Sequence, residues 1–380
     1  MPTRERGERD ELPAILGNRA LNRALLARQA LLHRHTCSVA AMLELLVGMQ
    51  AQAPQPPYVG LWSRLEGFRP ELLSELIADR HAVRIVLMRG TVHLVTARDC
   101  LALRPVVQPV LDRVLLPGNP HGRGLVGLDL PPLLAAGRAL VEERPRTLIE
   151  LGAALHARWP DREPTALAQA IRALAPLVQV PPRGLWGGSG QATCTTAESW
   201  LGRPLATDPA PDALIVRYLA AFGPATIADA QAWSGLTGLR GAVERLRPQL
   251  RTFRDERGRE LFDLPDAPRP DPDTSAAPRF IAEFDNLTLS HADRTRIIAD
   301  NHRSWIGTKN GMIPGLILID GFVGGIWRIA RARDGATLTV TPFAPLAATD
   351  RHALGAEGAR LLAFAAAGAT AHDIRFADPA

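Results

Sequence analysis

Two glutamines separated by one small residue are the side chains in this sequence best suited to position a water molecule. Gln50, Ala51 and Gln52 follow the apolar segment 39–49 and precede a proline cluster that begins at Pro54. Proline disfavours helical geometry in the residue before it, so we expect a helix that ends near Gln52. Residues two apart share a side in extended chain, and each carboxamide offers two donors and an acceptor. The pair could therefore hold one water against a substrate; the alternative is that two polar residues mark a helix end.

Length and composition exclude several classes of protein. At 380 residues the chain can hold two to four domains. It has no apolar run of 18 residues, so we expect no membrane span. The charged N-terminus lacks the apolar core of a signal peptide, and three isolated cysteines fit neither a disulfide framework nor a CxxC metal site. We therefore expect a cytoplasmic protein. No HExxH, phosphate loop or Cys/His cluster is present, so we expect no cofactor and no metal.

The basic residues have an unusual make-up. The net charge of +5 is compatible with a nucleic-acid partner without demonstrating one. Lys309 is the only lysine among 44 basic residues, and a GC-rich coding bias would account for that. Schiff-base chemistry needs an amine, and the side chains offer one. Arginine suits duplex binding because a guanidinium grips phosphate with paired donors.

The clearest folding unit lies between Asp212 and Leu264. We predict a helix over 213–221, a second opened by a Thr226–Asp229 capping box, and a third capped by Thr237. Two short strands, 250–254 and 260–264, are joined by a polar turn. Three helices and a hairpin in this order are typical of a winged helix.

Two looser copies lie upstream. One has helices at 21–33, 39–51, 57–66 and 70–79, and a hairpin of strands 83–88 and 91–96. The other has a Thr147–Glu150 capping box before a helix over 148–157, and a helix over 164–177. Repeated helical units can stack on each other, so not every wing needs to touch DNA.

The composition changes at a proline-rich linker, after which strands dominate. Strands at 279–284, 315–320, 322–330 and 337–342 are punctuated by glycines, and a helix over 355–367 precedes a strand at 373–376. This pattern predicts a small β-barrel. The predicted fold class is α+β, with three tandem winged-helix units and a small C-terminal β-barrel. The predicted domains are 15–112, 113–203, 204–266, a linker at 267–278, and 279–380.

With these elements in place, the chain resembles the winged-helix DNA glycosylases of the AlkZ type. The supporting stretches are 87–93, 186–191, 283–287, 290–294 and 318–321, together with the glutamine motif. In that family two polar residues around one aliphatic residue carry catalysis, so the resemblance implies that Gln50 and Gln52 are catalytic. The Gln-aliphatic-Gln branch is linked to self-resistance in antibiotic producers. The implied substrate is a bulky N7-alkylguanine adduct or interstrand crosslink in double-stranded DNA, cleaved by a monomer.

The same resemblance suggests DNA contacts along the hairpin, turns and barrel. The residues predicted to bind DNA are Arg89, Thr91, His93, Trp186, Ser189, His291, Arg294, Arg296, Arg303, Lys309 and Asn310. For each of them a structural role in a loop or core is the alternative.

Two other functions remain open from the sequence. The main rival is a winged-helix transcription regulator without catalytic activity, whose barrel senses a ligand. A third interpretation is a scaffold that shields lesions without cutting them. A regulator would concentrate arginines on one recognition helix and would have no use for paired glutamines.

Overall fold

The computed structural model describes residues 14–306 and 313–379 of the chain. Its helices are α1 Asn18–Arg28, α2 Val39–Leu45, α3 Pro56–Trp62, α4 Pro70–Ala78, α5 Ala97–Val106, α6 Gln108–Leu111, α7 Pro120–Arg123, α8 Leu130–Glu143, α9 Leu148–His156, α10 Pro164–Leu174, α11 Ala197–Leu201, α12 Asp212–Phe222, α13 Ile227–Ser234, α14 Arg240–Leu246, α15 Arg303–Ile306 and α16 Ala348–Ala365. Its strands are β1 Ile15–Leu16, β2 Met49–Gln50, β3 Ala82–Val86, β4 Val92–Thr96, β5 Arg146–Thr147, β6 Leu177–Gln179, β7 Thr193–Thr196, β8 Arg251–Asp255, β9 Glu260–Asp263, β10 Arg279–Ile281, β11 Gly315–Ile319, β12 Phe322–Arg331, β13 Gly335–Pro342 and β14 Ala371–Phe376. The fold is mixed α+β. None of the helices in these ranges is both long and apolar enough to cross a membrane.

One six-stranded sheet joins the first two predicted units. Its order is β2-β4-β3-β6-β7-β5, and β3 pairs antiparallel with β6 through Arg84 opposite Gln179. The predicted hairpin of the first unit therefore continues into the strands of the second. The capping box of Thr147 and Glu150 is present at the start of α9. The division into domains at 112 and 203 stays a prediction.

The third unit has its elements in the predicted order. Helices α12, α13 and α14 precede the antiparallel pair β8–β9, and β1 adds a parallel strand beside β8. The Thr226–Asp229 capping box opens α13 as predicted. The predicted Thr237 cap is wrong, because α14 begins at Arg240 after Leu239, with no side-chain cap.

The C-terminal strands form an open sheet and not a closed barrel. The order is β10-β11-β12-β13-β14, and within the described ranges β10 and β14 do not pair with each other. Strands β13 and β14 are parallel, so the chain between them must cross over, and α16 makes that crossover. Helix α16 packs on β10, β13 and β14 and so covers one face of the sheet.

A shared core holds the three regions together. Buried side chains of α1, α12 and the C-terminal sheet, such as Leu25, Tyr218 and Ile281, belong to one apolar cluster. Arg28 of α1 forms a buried bidentate ion pair with Asp263 and also donates to the Pro268 carbonyl of the linker. The N-terminal unit, the third unit and the C-terminal sheet therefore meet along α1, and the glutamine motif lies near that junction.

Candidate active site

The glutamine motif lies beyond the end of the preceding helix, with Gln50 at the end of β2 and Gln52 in the bend that follows. Helix α2 ends at Leu45, although the sequence predicts a helix to residue 51. Val47 and Gly48 have φ angles of 54° and 84°, which end the helix and turn the chain into β2. The helix therefore ends earlier than the prolines indicate, and the expectation that the Gln50 and Gln52 side chains share a side stays a prediction.

Gln50 is almost buried and its amide has a fixed orientation. Gln50 is only 7% exposed, and its backbone pairs with that of His93 in β4. Arg89 Nη2 donates to Gln50 Oε1 at 2.7 Å. A guanidinium can only donate, so the oxygen must face Arg89 and the Nε2 group must face away.

Gln52 is exposed and is held by the same hairpin. The Val92 amide donates to Gln52 Oε1 at 3.0 Å, and the Ala51 amide donates to the Val92 carbonyl at 2.7 Å. Buried Arg84 donates to the Ala51 carbonyl at 2.6 Å, which fixes the backbone between the two glutamines. Each carboxamide thus has one bond to a fixed donor. No acceptor among the residues described here takes a hydrogen bond from either Nε2 group, so each amide keeps two donors and one lone pair.

Arg89 links Gln50 to two other parts of the fold. Besides Gln50, its guanidinium donates to Asn286 Oδ1 at 2.8 Å and to the Trp233 carbonyl. Burial, together with the charge of the neighbouring Arg294 guanidinium, lowers the pKa of Arg89 to about 10. Arg89 still carries its charge at neutral pH. We expect this charge to polarise the Gln50 amide and strengthen its N–H groups as donors.

A buried ion pair lies next to Asn286, the second side chain that accepts a hydrogen bond from Arg89. Asp285 and Arg64 form two parallel hydrogen bonds of 2.8 and 2.9 Å, and both side chains are buried. The Asp285 carboxylate also accepts from the Leu287 amide at 3.0 Å. The next residue, Asn286, is therefore anchored where its oxygen meets Arg89. The family resemblance includes the segment 283–287 but assigns no role to Asn286, whose contact with Arg89 is visible only in the folded chain.

Three of the six residues other than glycine that have a positive φ in the described ranges lie around the glutamine pair. Val47, Arg89 and Phe284 have φ angles of 54°, 56° and 59°, which L residues with side chains rarely adopt. Val47 is β-branched and fully buried, so packing enforces its conformation. Each such residue costs on the order of 1–3 kcal/mol, and such residues cluster at functional sites.

Four of the predicted DNA-binding residues have inward-facing side chains. His93 is fully buried, and His291 and Arg296 are nearly so. His291 bonds the Phe222 carbonyl and Arg296 the Pro224 carbonyl, both in the third unit, and Arg89 bonds Gln50. The burial of His93, His291 and Arg296 fits the structural alternative for these three, Arg89 is partly exposed, and a DNA contact by any of the four stays a prediction.

The other predicted DNA-binding residues are distributed over the surface. Thr91, Trp186 and Arg294 are partly exposed, and Ser189 and Arg303 are exposed. The Arg294 side chain has no hydrogen bond or ion pair to any residue described, whereas Arg303 pairs with Asp300 at 3.2 Å. Burial lowers the pKa of Arg294, as does the charge of Arg303. Lys309 and Asn310 lie outside the described residues.

A small cavity at Gln50 adjoins a larger groove. The cavity is lined by Gly48, Met49, Gln50, Pro56, Glu283 and Asn286, among others. The groove has a volume of about 450 Å³ and is lined chiefly by Val59, Trp186, Glu283, Trp327, Ile329 and Arg331. The two share Pro56, Ala282 and Glu283. Over residues 14–306 and 313–379, no three His, Cys, Asp or Glu side chains are placed to share a metal ion.

Comparison with known proteins gives consistent matches. Residues 43–364 match a family model described as DNA glycosylase AlkZ-like. An interstrand DNA cross-link repair glycosylase of Streptomyces sahachiroi is 26% identical over 353 residues, which cover 84% of this chain and 88% of that protein. The solved structure of the DNA glycosylase AlkZ from the same organism has a TM-score of 0.79 at 22% identity, and the match covers 96% of this chain and all of that one. At that identity the structural match shows a shared fold.

Proposed function

Because the chain belongs to the AlkZ-like family of DNA glycosylases, we propose that it hydrolyses the N-glycosidic bond of N7-alkylguanine in double-stranded DNA. Gln50 and Gln52 are the proposed catalytic residues. The observation that carries the proposal is that fixed donors hold both Oε1 atoms, so both amides are oriented before a substrate arrives. Groups preorganised in this way stabilise a transition state without a cost of reorganisation.

Two neutral amides suit this substrate because the leaving base is already activated. Most glycosidases use one carboxylic acid to protonate the leaving group and a second carboxylate nearby. Alkylation at N7 places a positive charge on guanine, so bond cleavage releases a neutral base and needs no acid. The amides then have to position water in line with the sugar and present their remaining lone pairs to the developing positive charge.

Arg294, a neighbour of Arg89, is the proposed phosphate contact. The Arg294 guanidinium has no hydrogen bond or ion pair in the described part of the chain, and the positive charges of Arg89 and Arg303 are close enough to repel it. A phosphate would relieve this repulsion and accept paired hydrogen bonds. Thr91, Trp186, Ser189, Lys309 and Asn310 stay proposed DNA contacts.

The groove supports a bulky lesion as the substrate. Its volume lies within the range of small-molecule sites, and it opens beside the cavity that contains Gln50. Trp327 is fixed by a bond from its indole N–H to the Ile281 carbonyl at 2.9 Å, and Trp186 packs against Tyr58 and Phe364. We propose that the groove holds the body of an adduct attached to the target base, and that the enzyme serves self-resistance or base-excision repair against a DNA-alkylating natural product. We include interstrand crosslinks among the proposed substrates.

We propose that the enzyme is monofunctional and leaves an intact abasic strand. A glycosylase that also cleaves the strand usually uses an amine nucleophile, and the only lysine, Lys309, falls in a predicted turn away from the glutamine motif in sequence. Purified protein should release base without nicking a duplex until alkali or heat is added. Strand scission without that treatment would contradict this part of the proposal.

The test of the whole proposal is release of free base from a duplex with one N7-alkylguanine, measured by mass spectrometry under single-turnover conditions. Release above the spontaneous rate supports the enzyme. Sequence-specific binding without release would instead indicate the transcription regulator, and tight lesion binding without release would indicate the shielding scaffold.

A further inference from the structure

Glu283 is a carboxylate at the boundary between the Gln50 cavity and the groove. It lines both spaces, two residues after the end of β10 and two residues before Asp285. Its side chain is exposed to solvent, so a substrate can reach it. The catalytic account based on two amides leaves this carboxylate without a role.

The backbone separates Glu283 from the ion pair beside it. In extended chain, residues 283 and 285 would share a side. The φ of 59° at Phe284 breaks that alternation, and Asp285 is buried against Arg64. Within the part of the chain that the structure describes, Glu283 has no hydrogen bond and no ion pair. One carboxylate of this segment is therefore committed to structure and the other is available.

The surroundings of Glu283 favour a proton acceptor. Enclosure by the walls of the groove raises the pKa of Glu283 above its ordinary value, even though solvent reaches the side chain. The other charged groups around the two spaces are Arg331 on β12 and the neutralised Arg64–Asp285 pair. A raised pKa makes the ionised carboxylate a stronger base than a free glutamate.

We infer that Glu283 is a third catalytic residue, which accepts the proton of the water that Gln50 and Gln52 hold. This inference rests on the proposed function. The bond between C1′ and N9 breaks with its electron pair passing to the base, which neutralises the charge of the alkylated guanine. The water oxygen bonds to C1′, and its proton passes to the Glu283 carboxylate and then to solvent. The negative charge also stabilises the oxocarbenium-like sugar before the water bonds.

The experiment compares wild type, Glu283→Gln and the remote exposed control Glu71→Gln on α4. Single-turnover release of N7-methylguanine is measured from pH 4 to 9 after subtraction of spontaneous loss, with duplex affinity measured in parallel. The wild-type rate should rise with pH through an ionisation above the ordinary glutamate range. Glu283→Gln should lose about 100-fold in rate and lose that ionisation, with duplex affinity unchanged. Glu71→Gln should match wild type.

The outcomes separate this inference from the proposed function. If Glu283→Gln keeps the wild-type rate, or loses rate but keeps the ionisation, Glu283 is not the proton acceptor, while base release by wild type still supports the enzyme. If Glu283→Gln loses only duplex affinity, the carboxylate recognises the base and the inference is overturned. If wild type releases no base, the proposed function falls and this inference with it.

Discussion

Arg89 and Gln50 are joined by a 2.7 Å hydrogen bond in which the arginine reaches inward from a left-handed turn. The turn joins β3 to β4, so the hairpin that supplies Val92 to Gln52 also supplies Arg89 to Gln50. The β3–β4 hairpin therefore orients both amides. The arrangement makes Arg89 a positioning residue for Gln50.

Replacement of Arg89 should impair base release without weakening DNA binding to the same extent. Arg89→Lys loses the fork that reaches three acceptors, so Gln50 can rotate. We expect single-turnover base release to fall about 10-fold to 100-fold, which is typical when a supporting contact of a catalytic group is lost. The exposed Arg69→Lys change should leave the rate within about twofold of wild type, and thermal unfolding would report any loss of folding. A rate loss explained wholly by weaker duplex affinity would show that Arg89 acts on DNA instead.

Two buried histidines should make the fold less stable in mild acid. Burial lowers the pKa of His93 and of His291 to about 3, with nearby arginines adding to the effect. The unfolded chain binds more protons than the folded one between about pH 3 and the ordinary histidine value near 6.5. The free energy of unfolding should therefore fall as the pH is lowered through that window, by up to about 1.4 kcal/mol per pH unit for each histidine. Denaturant unfolding at pH 7, 6 and 5 measures the slope, and histidine NMR should show two rings that stay neutral at pH 5. Titration of all ten histidines near pH 6.5 would contradict it.

Filling the groove should discriminate between large and small lesions. Ile329 lines the groove on β12, and Ala330 faces the other side of the same strand. Ile329→Trp should reduce release of an N7-guanine adduct with a large aromatic body at least about 10-fold, since overpacking typically costs 1–3 kcal/mol. Release of N7-methylguanine should change less than about twofold, and Ala330→Trp should affect neither substrate. Equal losses on both lesions would show that the groove does not hold the adduct.

Sequence patterns predicted the elements where the determining interactions are local. The capping boxes at Thr147 and Thr226 lie within four residues, and both occur as expected. The end of α2 depends on Val47, which adopts a conformation that valine disfavours and is held there by surrounding core. The merging of two hairpins into one sheet likewise depends on contacts nearly a hundred residues apart, through Arg84 and Gln179.

The sequence singles out the two glutamines of the candidate site but not the residues that surround and orient them. Gln50 and Gln52 stand out because two amides at this spacing have a shared chemistry. The inward direction of Arg89 and His93 could not be read from the hairpin, because period-two alternation does not say which side is core when both sides are covered. Asn286 and Glu283 carry no local signal, since Asn286 bonds Arg89 of the N-terminal unit and the position of Glu283 matters only once the groove has formed.

The most direct measurement is the rate of base release by wild type and by Gln50→Ala/Gln52→Ala on one duplex with a single N7-alkylguanine. The account predicts a loss of at least about 100-fold in the double variant, comparable with loss of a preorganised stabilising group, while duplex affinity stays within about twofold. The single variants should each lose nearly as much, because the two amides hold one water and act as a unit. Base release by the double variant at the wild-type rate would contradict the central claim.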